Sequence, residues 1–304
     1  YADALWPKVD PAKLVLRLLT DAEFLAASAE GILSPEEQQL ILMRKPARSV
    51  GSARWSLADV VLIDEAADLI NRTPSLGHVI VDEAQDLSPM QLRAVGRRAS
   101  TGSVTVLGDL AQAATPWATS SWAESMTHLG HPGAAVEELV AGFRVPGAVI
   151  DFAARLLPRI APQLTPPHSV RRNRGALDLR GGTTADLITA TTEALGREGT
   201  VGVIVPDAAV ATVRKALEKA GIRYDLLGED AQIFDARVDL VPASLAKVLE
   251  FDHVVLSEPA DLVAGEPDEG TGLRRLYVCL TRAGTSLVVV PSAPLPAALH
   301  DAAA

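Results

Sequence analysis

The clearest candidates for chemistry are carboxylates that follow a short apolar run in HVIVDEAQDLSP, residues 78–89. Three apolar residues, 79–81, lead directly into Asp82 and Glu83. If this run is a strand of a parallel sheet, both carboxylates lie at its carboxyl edge, where ligands of such sheets bind. Asp is a hard oxygen ligand suited to Mg²⁺ that carries a nucleotide, and a neighbouring Glu can orient or deprotonate an attacking water. The alternative reading is a helix N-terminus whose acids favour the helix dipole.

A similar string, VLIDEAADLI, occupies residues 61–70. It contains Asp64, Glu65 and Asp68, but it lacks the glutamine of DEAQD and the Ser-Pro that follows. Its apolar residues fit a buried amphipathic helix that begins after an N-cap at Ser56. The pattern therefore predicts a structural role for this string.

Composition limits the classes of protein to consider. The chain has 304 residues, which is enough for two ordinary domains, with 48% hydrophobic and 22% charged residues. A net charge of −10 and an aromatic content of 4% argue against a broad nucleic-acid footprint. One cysteine, Cys279, cannot form an internal disulfide, which fits a reducing cytoplasm. There is no signal peptide pattern and no apolar run near the roughly 18 residues of a membrane span, so we expect no membrane partner.

The order of elements predicts an α/β chain. Residues 1–75 indicate helices, with a start at Ser34-Pro35. From residue 78, short apolar strands alternate with helices, which is typical of parallel sheets covered on both faces. The predicted strands are HVIVDE (78–83), SVTVLGD (103–109), VEELVAG (136–142), VGVIVPD (201–207), IRYDLL (222–227), FDHVVLSEP (251–259) and SLVVVP (286–291). The predicted helices between them are 88–99, 146–160, 183–195, 208–221 and 272–283.

Further motifs follow DEAQD in order. They are GDLAQ (108–112), Phe143-Arg144, KVLEFD (247–252) and LYVCLTRA (276–283). Taken together, this ordered set over roughly residues 76–290 resembles the UvrD/Rep-like superfamily 1 helicase motor. DEAQD corresponds to its second motif, GDLAQ to its third, Phe143-Arg144 to its fourth, KVLEFD to its fifth (usually KGLEF) and LYVCLTRA to its sixth (usually LYVALTRA).

The resemblance implies roles for the residues of the second and third motifs. Asp82 would hold the nucleotide-bound Mg²⁺, and Glu83 would be the catalytic base. Gln112 would sense the γ-phosphate of ATP (or GTP) and couple the two domains, with Asp109 nearby. Asp109 has a simpler alternative role, which is to close a turn.

The later motifs complete the site that the resemblance implies. Phe143 would stack on the nucleotide base, where the family usually has Tyr. Arg144 and Arg282 would be arginine fingers that stabilise charge on the transferring phosphoryl group. Glu250 would contact the ribose, and Lys247 would be a further member of the site. For Arg282 the alternative role is a favourable contact with a helix C-terminus.

The fold that the resemblance implies is the RecA-like P-loop NTPase fold. The leading helices and a partial first motor domain would precede a complete second parallel-sheet motor domain. We expect residues 1–75 to be the end of a helical insertion and part of the first domain, 76–132 the back of the first domain, 133–290 the second domain, and 291–304 a poorly ordered tail.

The phosphate-binding motif of such motors, G-x-x-x-x-G-K-[ST], is missing, and the sequence contains no Gly-Lys dipeptide. The chain also starts at Tyr1 rather than Met. We therefore expect it to work with an N-terminal remainder of the same protein, and to hydrolyse ATP negligibly on its own.

Within the superfamily, the leading segment resembles the helicase-like HelD proteins, which bind bacterial RNA polymerase core. About a hundred residues separate Arg144 from Lys247, so the large insertion of unwinding members is expected to be absent. Trp6 and Pro7 are either partner anchors or packing residues. Two alternatives stay open: a true DNA helicase or translocase in DNA repair, with DNA as a partner, and a non-catalytic interaction module.

Two departures from the family pattern stand out. Val248 replaces the usual Gly of the fifth motif, where Gly permits close backbone approach to a ligand or strand. Cys279 replaces Ala in the sixth motif, which is a small change in a buried helix. The first departure puts contacts at the fifth motif in doubt.

Overall fold

The computed structural model describes residues 8–172, 176–228 and 236–300, so Trp6 and Pro7 lie outside the described residues. The chain divides into two compact units. Unit 1 is the described part of Tyr1–Gly108 together with Thr119–Ala134, and unit 2 is Asp109–Ala118 together with the described part of Ala135–Ala304. The segment 109–118, expected within the first domain, belongs to unit 2 because Ala111 is buried in the core of that unit.

Unit 1 begins with helices, as the sequence predicts. They are α1 (Pro11–Thr20), α2 (Ala22–Ser28), α3 (Pro35–Ile41) and α4 (Leu57–Ile70), with a 3-10 turn at Val50–Ser52. The predicted caps are confirmed, because the Ser34 and Ser56 hydroxyls accept hydrogen bonds from the amides of Glu37 and Asp59. Each cap satisfies an amide that the first helical turn leaves without an intrahelical partner.

The prediction that α4 is a buried helix is wrong. None of its residues is buried, and Leu57 and Leu69 are largely exposed. The helix is apolar around most of its circumference, and packing against one or two neighbours covers only part of that surface. Its acidic residues instead contact arginines of the next helix.

The remainder of unit 1 is a two-stranded parallel sheet with two helices. Strands β1 (His78–Val81) and β2 (Ser103–Val106) pair in register, and α5 (Pro89–Arg98) and α6 (Trp122–Leu129) cover one face. On the other face Ile80 is 68% exposed. The expectation of a sheet covered on both faces is therefore wrong for unit 1, whose described helices cover one side only.

Unit 2 contains a six-stranded parallel sheet in its described part, with strand order β5-β10-β9-β6-β8-β7. The strands are β5 (Leu177–Leu179), β6 (Val201–Val205), β7 (Asp225–Leu226), β8 (Val238–Pro242), β9 (Phe251–Ser257) and β10 (Ala283–Val290). Successive residues point to opposite faces, and both faces are buried. In unit 2 the prediction of a parallel sheet covered on both sides is confirmed.

Two helical layers cover this sheet. One contains α7 (Gly147–Ala154), α8 (Leu157–Ile160), α11 (Pro259–Ala264), α12 (Glu269–Leu280) and α13 (Ala297–His300), and the other contains α9 (Thr184–Leu195) and α10 (Val210–Lys219). Among the described residues no helix is both long and apolar enough to cross a membrane.

Several predicted elements differ from the structure. The strand predicted over 136–142 shrinks to β3 (Ala141–Gly142), which pairs with β4 (His168–Ser169). Strands β5 and β8 lie outside the predicted set, because each carries an Asp near its centre that interrupts the apolar run. The tail is not poorly ordered over its described part, since Leu299 is buried and its carbonyl accepts a hydrogen bond from Arg155.

Candidate active site

Asp82 and Glu83 follow β1 directly, as predicted, and both are exposed. The Glu83 amide donates to Asp82 Oδ1 at 2.8 Å. Glu83 has φ of 52°, a left-handed conformation that is uncommon for a residue with a side chain. A 3-10 turn at Ala84–Asp86 follows, but Glu83 makes no side-chain cap for it. The two acids therefore precede a three-residue 3-10 turn and not the N-terminus of an α-helix, so the helix-dipole alternative has little to act on.

Gln85 is a member of this turn that the sequence prediction missed. It is 0% exposed, and its Nε2 donates to Glu83 Oε2 at 2.6 Å. The signal was present in the sequence, because DEAQD has Gln85 where the other string has Ala67. Backbone bonds from Leu107 N to Val81 O (2.8 Å) and from Ala84 N to Leu107 O (3.0 Å) hold the turn against the end of β2.

In unit 2, Gln112 lies on a 3-10 turn, Leu110–Gln112, and Asp109 is the N-cap of that turn. Asp109 accepts from the Ala111 amide and from Gln112 Nε2, both at 2.9 Å. Asp109 therefore does close a turn, which was its alternative role, and it also fixes the side chain of Gln112.

Arg282 is 5% exposed and joins this cluster. Its Nη2 donates to Gln112 Oε1 at 3.1 Å and its Nη1 to the Lys247 carbonyl at 2.6 Å. Its Nε donates to the Val278 carbonyl at 3.0 Å, which satisfies a carbonyl in the last turn of α12. Helix α12 ends at Leu280 and β10 begins at Ala283, so the prediction that Arg282 lies on the helix is wrong.

Lys247 also contacts this cluster. It lies on the 3-10 helix Ala243–Val248, and its Nζ donates to the Gln112 carbonyl at 2.8 Å. The structure thus brings together four predicted residues of unit 2: Asp109, Gln112, Lys247 and Arg282.

Tyr277 is a buried neighbour that the sequence did not single out as a site residue. Burial raises the pKa of its hydroxyl, and the nearby Asp109 carboxylate raises this pKa further. The position of Tyr277 in LYVCLTRA was the available signal.

The other predicted residues of unit 2 form a separate, exposed group. Arg144 and Glu250 make an ion pair, and both side chains are about half exposed. Phe143 is 73% exposed, and Val248, the departure from the family pattern, is 83% exposed. An exposed ion pair contributes little to stability. Arg144 or Glu250 can therefore leave the pair and bind a ligand at small cost in stability.

The carboxylates fit Mg²⁺ that arrives with a nucleotide better than a metal held by protein alone. Among the described residues no group of three or more His, Cys, Asp or Glu is placed to hold a metal ion. Mg²⁺ in nucleotide sites usually has one or two protein carboxylates, with phosphates and waters completing its shell. The exposed carboxylate of Asp82 meets that requirement.

No family model matches the sequence, and neither does any curated protein. Among solved structures, the C-terminal domain of a possible DNA helicase from Lactobacillus plantarum WCFS1 is similar at 20% identity and a TM-score of 0.41, covering 52% of this chain and 92% of that one. An arterivirus nonstructural protein 10 (helicase) in complex with DNA is similar at 19% identity and a TM-score of 0.38, covering 71% of this chain and 40% of that one. Both TM-scores lie below 0.5, so neither likeness assigns a function to this chain.

Proposed function

We propose that this chain is the C-terminal motor portion of a helicase-like protein that hydrolyses ATP or GTP, with two RecA-like domains. The observation that carries the proposal is the 3.1 Å bond from Arg282 Nη2 to Gln112 Oε1, between residues 170 positions apart. GDLAQ and LYVCLTRA are the motifs expected to sense and stabilise the transferring phosphoryl group. Their contact within one unit supports a shared site.

The proposed roles follow the geometry of each unit. Asp82 is the carboxylate that would hold Mg²⁺, and the ion supplies Lewis-acid stabilisation of phosphoryl oxygens when bound. Glu83 orients the attacking water and takes its proton. The guanidinium of Arg282, fixed by Gln112 and the Lys247 carbonyl, supplies positive charge without reorganisation of its own.

The exposed group of unit 2 suits the nucleoside end of the ligand. The open face of Phe143 is suited to stacking on a base. Glu250 is suited to bind ribose hydroxyls. If Glu250 leaves its ion pair with Arg144 to do so, Arg144 can act as the second arginine finger. Val248 in place of Gly adds a side chain at this edge.

We also propose that the phosphate-binding loop comes from another part of the protein, because the 304 residues lack its motif. The chain alone is then expected to hydrolyse ATP negligibly. Turnover by the purified 304-residue chain at a typical enzyme rate, about 10 per second, would contradict this.

The proposed partner is bacterial RNA polymerase core, which the protein would bind and recycle in the cytoplasm. The net charge of −10 and the low aromatic content support a protein partner over a nucleic-acid track. DNA unwinding in repair and a non-catalytic binding role are the competing functions.

One experiment separates these functions. The full-length protein that contains this chain is assayed for ATP hydrolysis alone, with single-stranded DNA and with RNA polymerase core, and for co-purification with the polymerase. Polymerase binding with turnover indifferent to DNA supports the proposal. Strong DNA stimulation without polymerase binding indicates a DNA helicase, and absence of turnover under all conditions indicates a non-catalytic module.

A further inference from the structure

Gln85 is placed to control the carboxylate of Glu83. Glu83 is exposed, whereas Gln85 two residues later is fully buried. The 2.6 Å bond from Gln85 Nε2 to Glu83 Oε2 therefore joins a solvent-facing carboxylate to an immobile amide. An exposed Glu normally samples several rotamers, and this bond restricts them.

The space around Gln85 is built to hold its amide in one place. A Cβ added at Gly108 would lie 2.3 Å from Gln85 Oε1 and 2.7 Å from the ring of Trp122. Only glycine at position 108 therefore leaves room for the Gln85 side chain in this orientation. Gly108, the first residue of GDLAQ, thus leaves the space that Gln85 needs to reach the carboxylate of Glu83.

The backbone adds a second constraint. Glu83 is held at φ of 52° while the turn is bonded to Leu107. A side chain that leaves a strained turn has its direction set by the backbone, and the Gln85 bond then sets its far end. Preorganised geometry of this kind matters for catalysis, since a displacement of about 1 Å can lower the rate by about 100-fold.

We propose that Gln85 is a positioning residue that holds the Glu83 carboxylate in place for its role as general base. Gly108 leaves the space that the Gln85 side chain occupies. This inference rests on the proposed function, because it assigns a task to Gln85 within the same site. Gln85 does not touch the reacting atoms and acts through Glu83.

The kinetic test uses the full-length protein and Gln85→Met, which keeps the length of the side chain and removes the donor. We expect kcat to fall by about 10- to 100-fold with the KM for ATP unchanged. In a Glu83→Gln background the same substitution should cause no further loss. A wild-type kcat in the single variant, or equal losses in both backgrounds, would overturn the proposal.

The second test does not depend on hydrolysis or on whether a core variant folds. In the full-length protein labelled with ¹⁵N-glutamine, the Gln85 side-chain amide is followed by NMR. Replacing the exposed Glu83 with Ala should shift this resonance, and the matched Glu65→Ala should leave it in place. If the Gln85 amide resonance does not change in Glu83→Ala, the contact is absent and the proposal is overturned, whether or not the protein hydrolyses ATP.

Discussion

The strings DEAAD (64–68) and DEAQD (82–86) differ at one position out of five, but the first lies within a helix and the second follows a strand. Asp64, Glu65 and Asp68 lie within α4. Asp82 and Glu83 lie beyond the end of a strand, on a turn with a left-handed residue. The similarity of letters says little, because backbone and neighbours decide what each carboxylate does.

The helical string is neutralised by arginines of α5. Arg97 pairs with all three acids of α4, and its contact to Asp64 Oδ2 measures 2.6 Å. The Arg98 guanidinium, bonded to Asp64, holds the pKa of that carboxyl below its usual range. These acids therefore stabilise a helix pair, whereas the carboxylates of Asp82 and Glu83 are exposed to solvent and accessible to a ligand.

The largest difference is expected when the first carboxylate of each string is removed. Asp82→Asn should lower Mg²⁺-dependent ATP turnover of the full-length protein by roughly 100-fold or more, because metal stabilisation contributes several kcal/mol. Asp64→Asn is the matched control and should keep the wild-type rate. Turnover is measured by steady-state hydrolysis across Mg²⁺ concentrations. Equal losses in both variants would contradict a metal-binding role that is specific to Asp82.

The second difference concerns stability. Arg97→Met removes the cation that Glu65 and Asp68 share, and because these side chains are only partly exposed it should lower the free energy of unfolding by about 2 kcal/mol. Arg93→Met removes a more exposed partner of Glu65 and should lower it by less than about 1 kcal/mol. Urea unfolding of the two variants checks this order, and an Arg97 effect no larger than that of Arg93 would contradict it.

A third carboxylate, Asp239, adds to the contrast, because it is half-buried and its Oδ1 accepts no hydrogen bond from the described residues. Burial, together with the neighbouring Asp225, raises the pKa of Asp239 to about 6. At neutral pH the folded state holds this charge, and partial solvent screening reduces its cost, so Asp239→Asn should raise the free energy of unfolding by about 1 kcal/mol. The gain should shrink as pH falls below 6, and a gain that is independent of pH in urea titrations would refute this cause.

The smallest expected effect is the opposite response of Asp64 to pH. Its pKa is lowered from 3.8, so its contribution to stability is present above that value and is lost as pH falls through the lower folded-state pKa. Asp64→Asn should flatten the loss of stability in the acid range. Thermal unfolding followed from about pH 7 to about pH 3 measures the slope, and identical slopes would contradict the ion-pair role.

Sequence patterns were informative where local rules decide the structure. The Ser34 and Ser56 caps and the starts of β1 and β2 follow from capping and apolar runs, whereas both strands end earlier than predicted. The contacts of Gln112 with Lys247 and Arg282 come from distant segments, and no spacing rule reports which donor meets which acceptor. The burial of Gln85 was also beyond prediction, because it depends on how β2 and Trp122 pack around the turn.

The measurement that tests the central claim most directly compares Glu83→Gln with Glu65→Gln in the full-length protein. Both replace the second acid of a DEA string with its amide, and steady-state ATP hydrolysis and nucleotide binding are measured for each. We predict that Glu83→Gln lowers turnover by about 100- to 10,000-fold with binding retained, and that Glu65→Gln leaves turnover unchanged. Unchanged turnover in Glu83→Gln would remove the catalytic role from DEAQD and contradict the proposed site.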